Sequence, residues 1–85
     1  MQSFEYTITD AQGIHARPAG LLVREASKYA SDIKLSFNEK TGDAKRLFSV
    51  MGLGIKCGNK ITVTIEGADE AEAISSIKSF FETNL

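Results

Sequence analysis

The chain contains one histidine, His15, and it stands in the segment Gly13-Ile14-His15-Ala16-Arg17-Pro18. A loop glycine precedes it and a helical pattern follows it directly. The first N–H groups of a helix have no partner within the helix, and the aligned peptide dipoles add partial positive charge there. Such an end is a ready anion site. Arg17 can add a charge-assisted hydrogen bond to an anion oxygen. Pro18 stiffens the first turn and removes a donor that would otherwise need a partner. Neutral imidazole is a nucleophile. The segment therefore has the parts needed to make and hold a bond between an imidazole nitrogen and an anionic group. On spacing alone the plainer reading, a loop or capping histidine, stays ahead. No second ligand stands near His15 in sequence, so a metal role is weaker still.

The surrounding elements follow from periodicity. Residues 2–9 alternate, with Phe4, Tyr6 and Ile8 on one face, as in a half-buried strand. Residues 16–30 repeat at helical period. Ala19, Leu22, Val23, Ala26 and Ala30 form the core face, and Arg17, Leu21, Arg24 and Lys28 the opposite one. Residues 32–37 alternate again, and Asn38-Glu39 suits a tight turn into a polar edge strand over 40–44. Residues 47–53 predict a short helix. Residues 61–66 alternate cleanly. Asp69 stands three residues before Glu72, a pattern that predicts Asp69 as the cap of a helix over 70–83. Its core face is Ala73, Ile74, Ile77, Phe80 and Phe81. The order is βαββαβα in one domain, 1–85. Alternating strands need cover on one face only, which predicts an antiparallel sheet with its helices on one side.

Composition narrows the function classes. Ten Lys and Arg balance eleven Asp and Glu, for a net charge of −1, and a nucleic-acid partner is not expected. No apolar run reaches the roughly 20 residues that span a bilayer. No basic-then-apolar leader opens the sequence. The lone Cys57 rules out an internal disulfide, and one Cys with one His cannot make a zinc site. A monomer in a reducing, cytoplasmic compartment, with no cofactor and no metal, is the expectation.

Gly13-Ile14-His15-Ala16-Arg17-Pro18-Ala19 resembles the active-site signature of the HPr family, the histidine-containing phosphocarriers of the bacterial phosphoenolpyruvate–sugar phosphotransferase system. Ala26-Ser27-Lys28-Tyr29, Met51-Gly52-Leu53-Gly54 and Gly67-Ala68-Asp69-Glu70 extend the resemblance over the whole chain. It implies an α+β open-faced β-sandwich, a four-stranded antiparallel sheet covered on one face by three helices. It also implies a stoichiometric carrier rather than an enzyme. His15 would accept a phosphoryl group on Nδ1 from enzyme I and pass it to enzyme IIA domains. Ala16, Arg17 and Pro18 match the family's phosphate-binding turn.

A docking surface is expected beside that turn. Leu47, Phe48 and Met51 follow helical spacing, and a short helix cannot bury every one of Leu47, Phe48, Val50, Met51 and Leu53. Gly20, Leu21 and Arg24 on the first helix, with Arg46 on the second, complete the expected patch. Many Gram-positive members carry a kinase-regulated serine just before Leu47. Here that residue is Arg46, which has no hydroxyl to modify. Ser49, one turn on, reads as a surface serine. The missing serine leaves open a specialised paralogue, of nitrogen type or dedicated to one operon, or a regulatory interaction domain. The intact His15-Ala16-Arg17-Pro18 segment argues against the last.

Overall fold

The computed structural model describes all of residues 1–85. Its elements are β1 (Gln2–Thr7), α1 (Ala16–Ala26), β2 (Asp32–Phe37), β3 (Lys40–Asp43), α2 (Leu47–Met51), β4 (Lys60–Glu66) and α3 (Glu70–Asn84). The four strands form one sheet in the order β1-β4-β2-β3, every pairing antiparallel. The βαββαβα order and one-sided helix cover are those expected from the alternation, and the open-faced sandwich is the one that the resemblance implies.

Period-two patterning fixes the register, because a slip of one residue would turn every apolar side chain to the open face. Ile33 stands opposite Ile65, Leu35 opposite Val63, and Phe4 opposite Val63 from the other side. Ile33, Leu35, Ile61, Val63 and Ile65 are buried. Over them lie Ala19, Leu22 and Ala26 of α1, Val50 of α2, and Ala73, Ile77 and Phe81 of α3. Phe81 anchors the β1 edge, with ring centroids 6.0 Å from Phe4 and 5.5 Å from Tyr6. The β2–β3 hairpin turns through Asn38 and Glu39, both at positive φ. Two such residues make the turn that follows the right-handed twist of paired strands.

α2 stops at Met51 rather than residue 53, β4 begins at Lys60 rather than 61, and α3 runs to Asn84 rather than 83. Three further boundaries differ from the sequence reading. β1 stops at Thr7 rather than residue 9, and β3 at Asp43 rather than 44. α1 stops at Ala26, so Ala30 is exposed rather than part of the core face. The cause of the third lies 39 residues further on. The Asp69 carboxylate accepts the N–H of Ala30 at 2.9 Å and of Ser31 at 3.0 Å, together with the Ser31 hydroxyl. A continuing helix would have directed those N–H groups to its own carbonyls. Gly67 allows the close approach, since a Cβ there would stand 2.6 Å from Ser31 Cα.

Asp69 is therefore not the side-chain cap of α3 that the Asp-x-x-Glu spacing predicts; it makes no capping hydrogen bond. Glu70 folds back instead and accepts the Gly67 N–H at 3.2 Å. It also pairs with the Met1 amino group at 3.0 Å. A second tie joins α1 to α3, where the Ser76 hydroxyl donates to Glu25 at 2.6 Å.

These contacts hold three carboxyls below the ordinary range. For Asp69 the leading cause is the Ser31 hydroxyl, for Glu25 the Ser76 hydroxyl, and for Glu70 the Gly67 N–H. A group with a lowered folded-state pKa stabilises the fold above its unfolded value. That stability disappears as pH falls through the folded value. Asp69→Asn should therefore lower the thermal midpoint at neutral pH. It should also reduce the loss of stability on acidification below about pH 4. Thermal unfolding monitored by circular dichroism across that range checks both; an unchanged acid limb would contradict the assignment.

Candidate functional site

His15 is placed by a backbone constraint. Gly13 adopts φ +67°, the left-handed region that a side chain disfavours. It is packed so closely on Ile55 and Lys56 that a Cβ would clash with the Ile55 carbonyl oxygen and lie 2.6 Å from Lys56 Cα. The next N–H, that of Ile14, donates to the same Ile55 oxygen at 3.1 Å. The Ile14 side chain enters the core. One residue later the chain emerges with His15 at the N-cap of α1, and the His15 carbonyl accepts the Ala19 N–H at 2.9 Å.

At a usual N-cap the side chain turns back to bond the first turn. His15 makes no such bond, and no acidic residue stands in the first turn of α1. The N–H groups of Ala16 and Arg17 therefore keep no partner from the helix itself. Pro18 is buried beneath them and brings no donor. The imidazole is 38 % exposed, enough to meet another molecule. It lines a shallow hollow of about 320 Å³ with Asp10, Arg17, Pro18, Leu21 and Asn84. The hollow joins an imidazole, a guanidinium and a helix N-terminus, a combination suited to a small tetrahedral anion.

Two of the lining residues were not singled out from the sequence. Asp10 faces the ring, with Oδ1 4.0 Å from His15 Nε2. Its loop is tied down because the Leu85 main-chain oxygen accepts the N–H of Thr9 at 2.6 Å and of Asp10 at 2.8 Å. A local signal existed: Asp10 Oδ1 accepts the Gln12 N–H at 2.9 Å, a turn that an Asp two residues before an N–H donor often makes. Asn84 arrives from the far end of the chain, and nothing local to residue 15 announces it. A larger polar groove of about 750 Å³ between α1 and α3 shares only Asn84 with this hollow. No His, Cys, Lys or Arg lines it.

The outward faces of α1 and α2 lie open, and Leu21 of α1 borders the hollow. Gly20, Leu21 and Arg24 are exposed on α1, and a Cβ at Gly20 would meet nothing within 4 Å. On α2, Phe48 is 83 % exposed and Met51 also faces solvent. Leu47 differs from its neighbours, being half-buried and packed on the core. Arg46 is the N-cap residue of α2 without a capping side-chain bond, as its guanidinium requires. It projects into solvent with Nε 3.9 Å from Asp43.

Ser49 is not the surface serine that its position suggests. It is half-buried, and its hydroxyl accepts the Asp43 N–H at 2.8 Å, fastening α2 to β3. Cys57 is exposed, 3.8 Å from the Thr9 carbonyl. No three His, Cys, Asp or Glu side chains gather as a metal site would require. No helix is long and apolar enough to cross a membrane.

Comparison with known proteins gives this geometry a context. The family model described as the PTS HPr component phosphorylation site matches residues 2–83. The phosphocarrier protein HPr of Mycoplasma capricolum subsp. capricolum is 46 % identical over 78 residues, covering 92 % of this chain and 88 % of that one. HPr of Mycoplasma genitalium is 44 % identical over 85 residues, covering 99 % and 97 %. Among solved structures, HPr-C-His from Thermoanaerobacter tengcongensis superposes with a TM-score of 0.93 at 37 % identity, covering 98 % of this chain and 93 % of that one. The chain belongs to the HPr family of phosphocarriers of the phosphotransferase system.

Proposed function

We propose that this chain is a general carrier of the phosphoenolpyruvate-dependent sugar phosphotransferase system, accepting a phosphoryl group on His15 from enzyme I and delivering it to enzyme IIA domains in the cytoplasm. The observation that carries the reading is the placement of His15. It is an accessible imidazole at a helix start whose first N–H groups it does not itself occupy.

The chemistry follows from that placement. The Nδ1 lone pair attacks phosphorus, and the bond to the donor breaks with its electron pair leaving on the donor. The three phosphoryl oxygens then meet the N–H groups of Ala16 and Arg17 and the Arg17 guanidinium. Pro18 holds the turn without competing as a donor. These hydrogen bonds stabilise a labile nitrogen–phosphorus bond without enclosing it, so a second protein can still reach it. The chain is consumed and regenerated in equal amounts, as a carrier and not as an enzyme.

The open faces supply the docking surface. Leu21, Phe48 and Met51 form its apolar part, with the half-buried Leu47 beneath them. Gly20 contributes a flat place for close approach. Arg24 and Arg46 rim the surface with positive charge, which speeds encounter with acidic partners and makes it sensitive to salt. The likeness to phosphocarriers at 44–46 % identity supports the same reading. The monomer meets each partner in turn through one surface.

Incubation with enzyme I and labelled phosphoenolpyruvate should place acid-labile, base-stable phosphate on the wild-type chain and none on His15→Ala. Absence of label on the wild type would refute the proposal. Arg46→Ser should weaken transfer from enzyme I and flatten its salt dependence, because an exposed rim charge acts mainly on encounter. An unchanged rate and salt slope would remove Arg46 from the docking surface.

A further inference from the structure

We infer that Asp10 is a positioning residue for His15, holding the imidazole with its proton on Nε2 and its lone pair on Nδ1. The inference rests on the phosphocarrier reading and adds to it a residue that acts through the ring.

The geometry has two parts. First, the carboxylate faces one particular nitrogen, with Oδ1 4.0 Å from Nε2. That is too long for a direct hydrogen bond, yet within reach of one bridging water or a small ring rotation. Catalytic contacts are often long in the resting protein and tighten in the working complex. Second, the carboxylate and the main chain that carries the ring are both held in place. The Asp10 N–H donates to the Leu85 oxygen at 2.8 Å, its carbonyl accepts the Gly13 N–H at 2.9 Å, and its carboxylate accepts the Gln12 N–H at 2.9 Å. The main chain at His15 is fixed from the other side by Gly13, Ile14 and the first turn of α1. The carboxylate is therefore aimed at the ring by the loop that delivers it.

The consequence concerns the tautomer. A carboxylate beside Nε2 favours the form with hydrogen there, which leaves the Nδ1 lone pair free to attack. As the nitrogen–phosphorus bond forms, the ring acquires positive charge while keeping its Nε2 proton. The Asp10 charge stabilises that state. On delivery the bond electrons return to Nδ1, the phosphoryl group leaves on the next acceptor, and the neutral Nε2–H tautomer is restored. No proton has to enter or leave in either step.

Asp10→Asn is the informative substitution. The amide oxygen can still accept the Gln12 N–H, so the turn is kept while the charge is lost. Nitrogen-15 NMR of the two ring nitrogens, at about pH 8.5 where imidazole is ordinarily neutral, reads the tautomer directly. The wild type should be mainly Nε2–H, and the variant should show about twice the Nδ1–H fraction or more. The rate of phosphorylation by enzyme I should fall about fivefold, with thermal unfolding unchanged. Unaltered tautomer populations, or a wild-type rate in the variant, would overturn the assignment. Failure of the wild-type chain to accept label would defeat the carrier reading instead, and the tautomer measurement would still decide what Asp10 does.

Discussion

The close contact between Gly13 and the main chain of Ile55 and Lys56 is the constraint from which the site is built. A left-handed residue without a side chain lets the loop press against the segment between α2 and β4. The Ile14 N–H then locks to the Ile55 carbonyl. With that point fixed, the next residue must emerge where α1 begins. His15 thus owes its place to backbone contacts and not to any side-chain hydrogen bond of its own. Any side chain at residue 13 would combine backbone strain with a steric clash, and strain of this kind alone costs about 1–3 kcal/mol.

The rest of the fold serves that placement by keeping two kinds of surface apart. The inward residues of β2 and β4 and the inward stripe of every helix join one core, with Phe4 and Tyr6 of β1 packed against it. What remains on the outer faces of α1 and α2 is apolar in places and basic at the margin, and on α1 it adjoins the histidine, since Arg17 and Leu21 line the same hollow. α2 is only five residues long. It commits Val50 to the core, half-buries Leu47 and turns Ser49 toward β3, and Phe48 and Met51 are left to face outward. The exposed Phe48 is the direct result. Polar ties then hold the helices where their inward stripes alone would leave them loose: Ser76 to Glu25, Asp69 to Ser31, and Ser49 to Asp43.

Much of this was legible in the sequence because it depends on local periodicity. The strands around Ile33, Ile61 and Phe4 and the inward stripe of α1 follow from spacing, and so does the single-sided cover. The segment around His15 was legible for a different reason, because glycine, imidazole, arginine and proline each have a local role at a helix start. What escaped is tertiary. Asp69 reads locally as a cap, but residues 30 and 31 reach it across the fold and end α1 early. Ser49 reads as a surface hydroxyl, but the Asp43 N–H finds it. Asp10 and Asn84 join the hollow only because the two ends of the chain meet beside α1. Spacing alone does not reveal contacts that depend on how the loops and elements pack, whether the partners are 39 residues apart, as for Asp69 and Ala30, or only six, as for Ser49 and Asp43.

The central claim is that the start of α1, and not the histidine alone, receives the phosphoryl group. Its most direct test is the proton NMR shift of the Ala16 and Arg17 amides before and after phosphorylation of the ring. The account predicts that both move strongly downfield on phosphorylation, as N–H groups do when they bond to anionic oxygen, while amides on the open face of the sheet stay in place. Phosphorylated His15 with the Ala16 and Arg17 amides unmoved would contradict it.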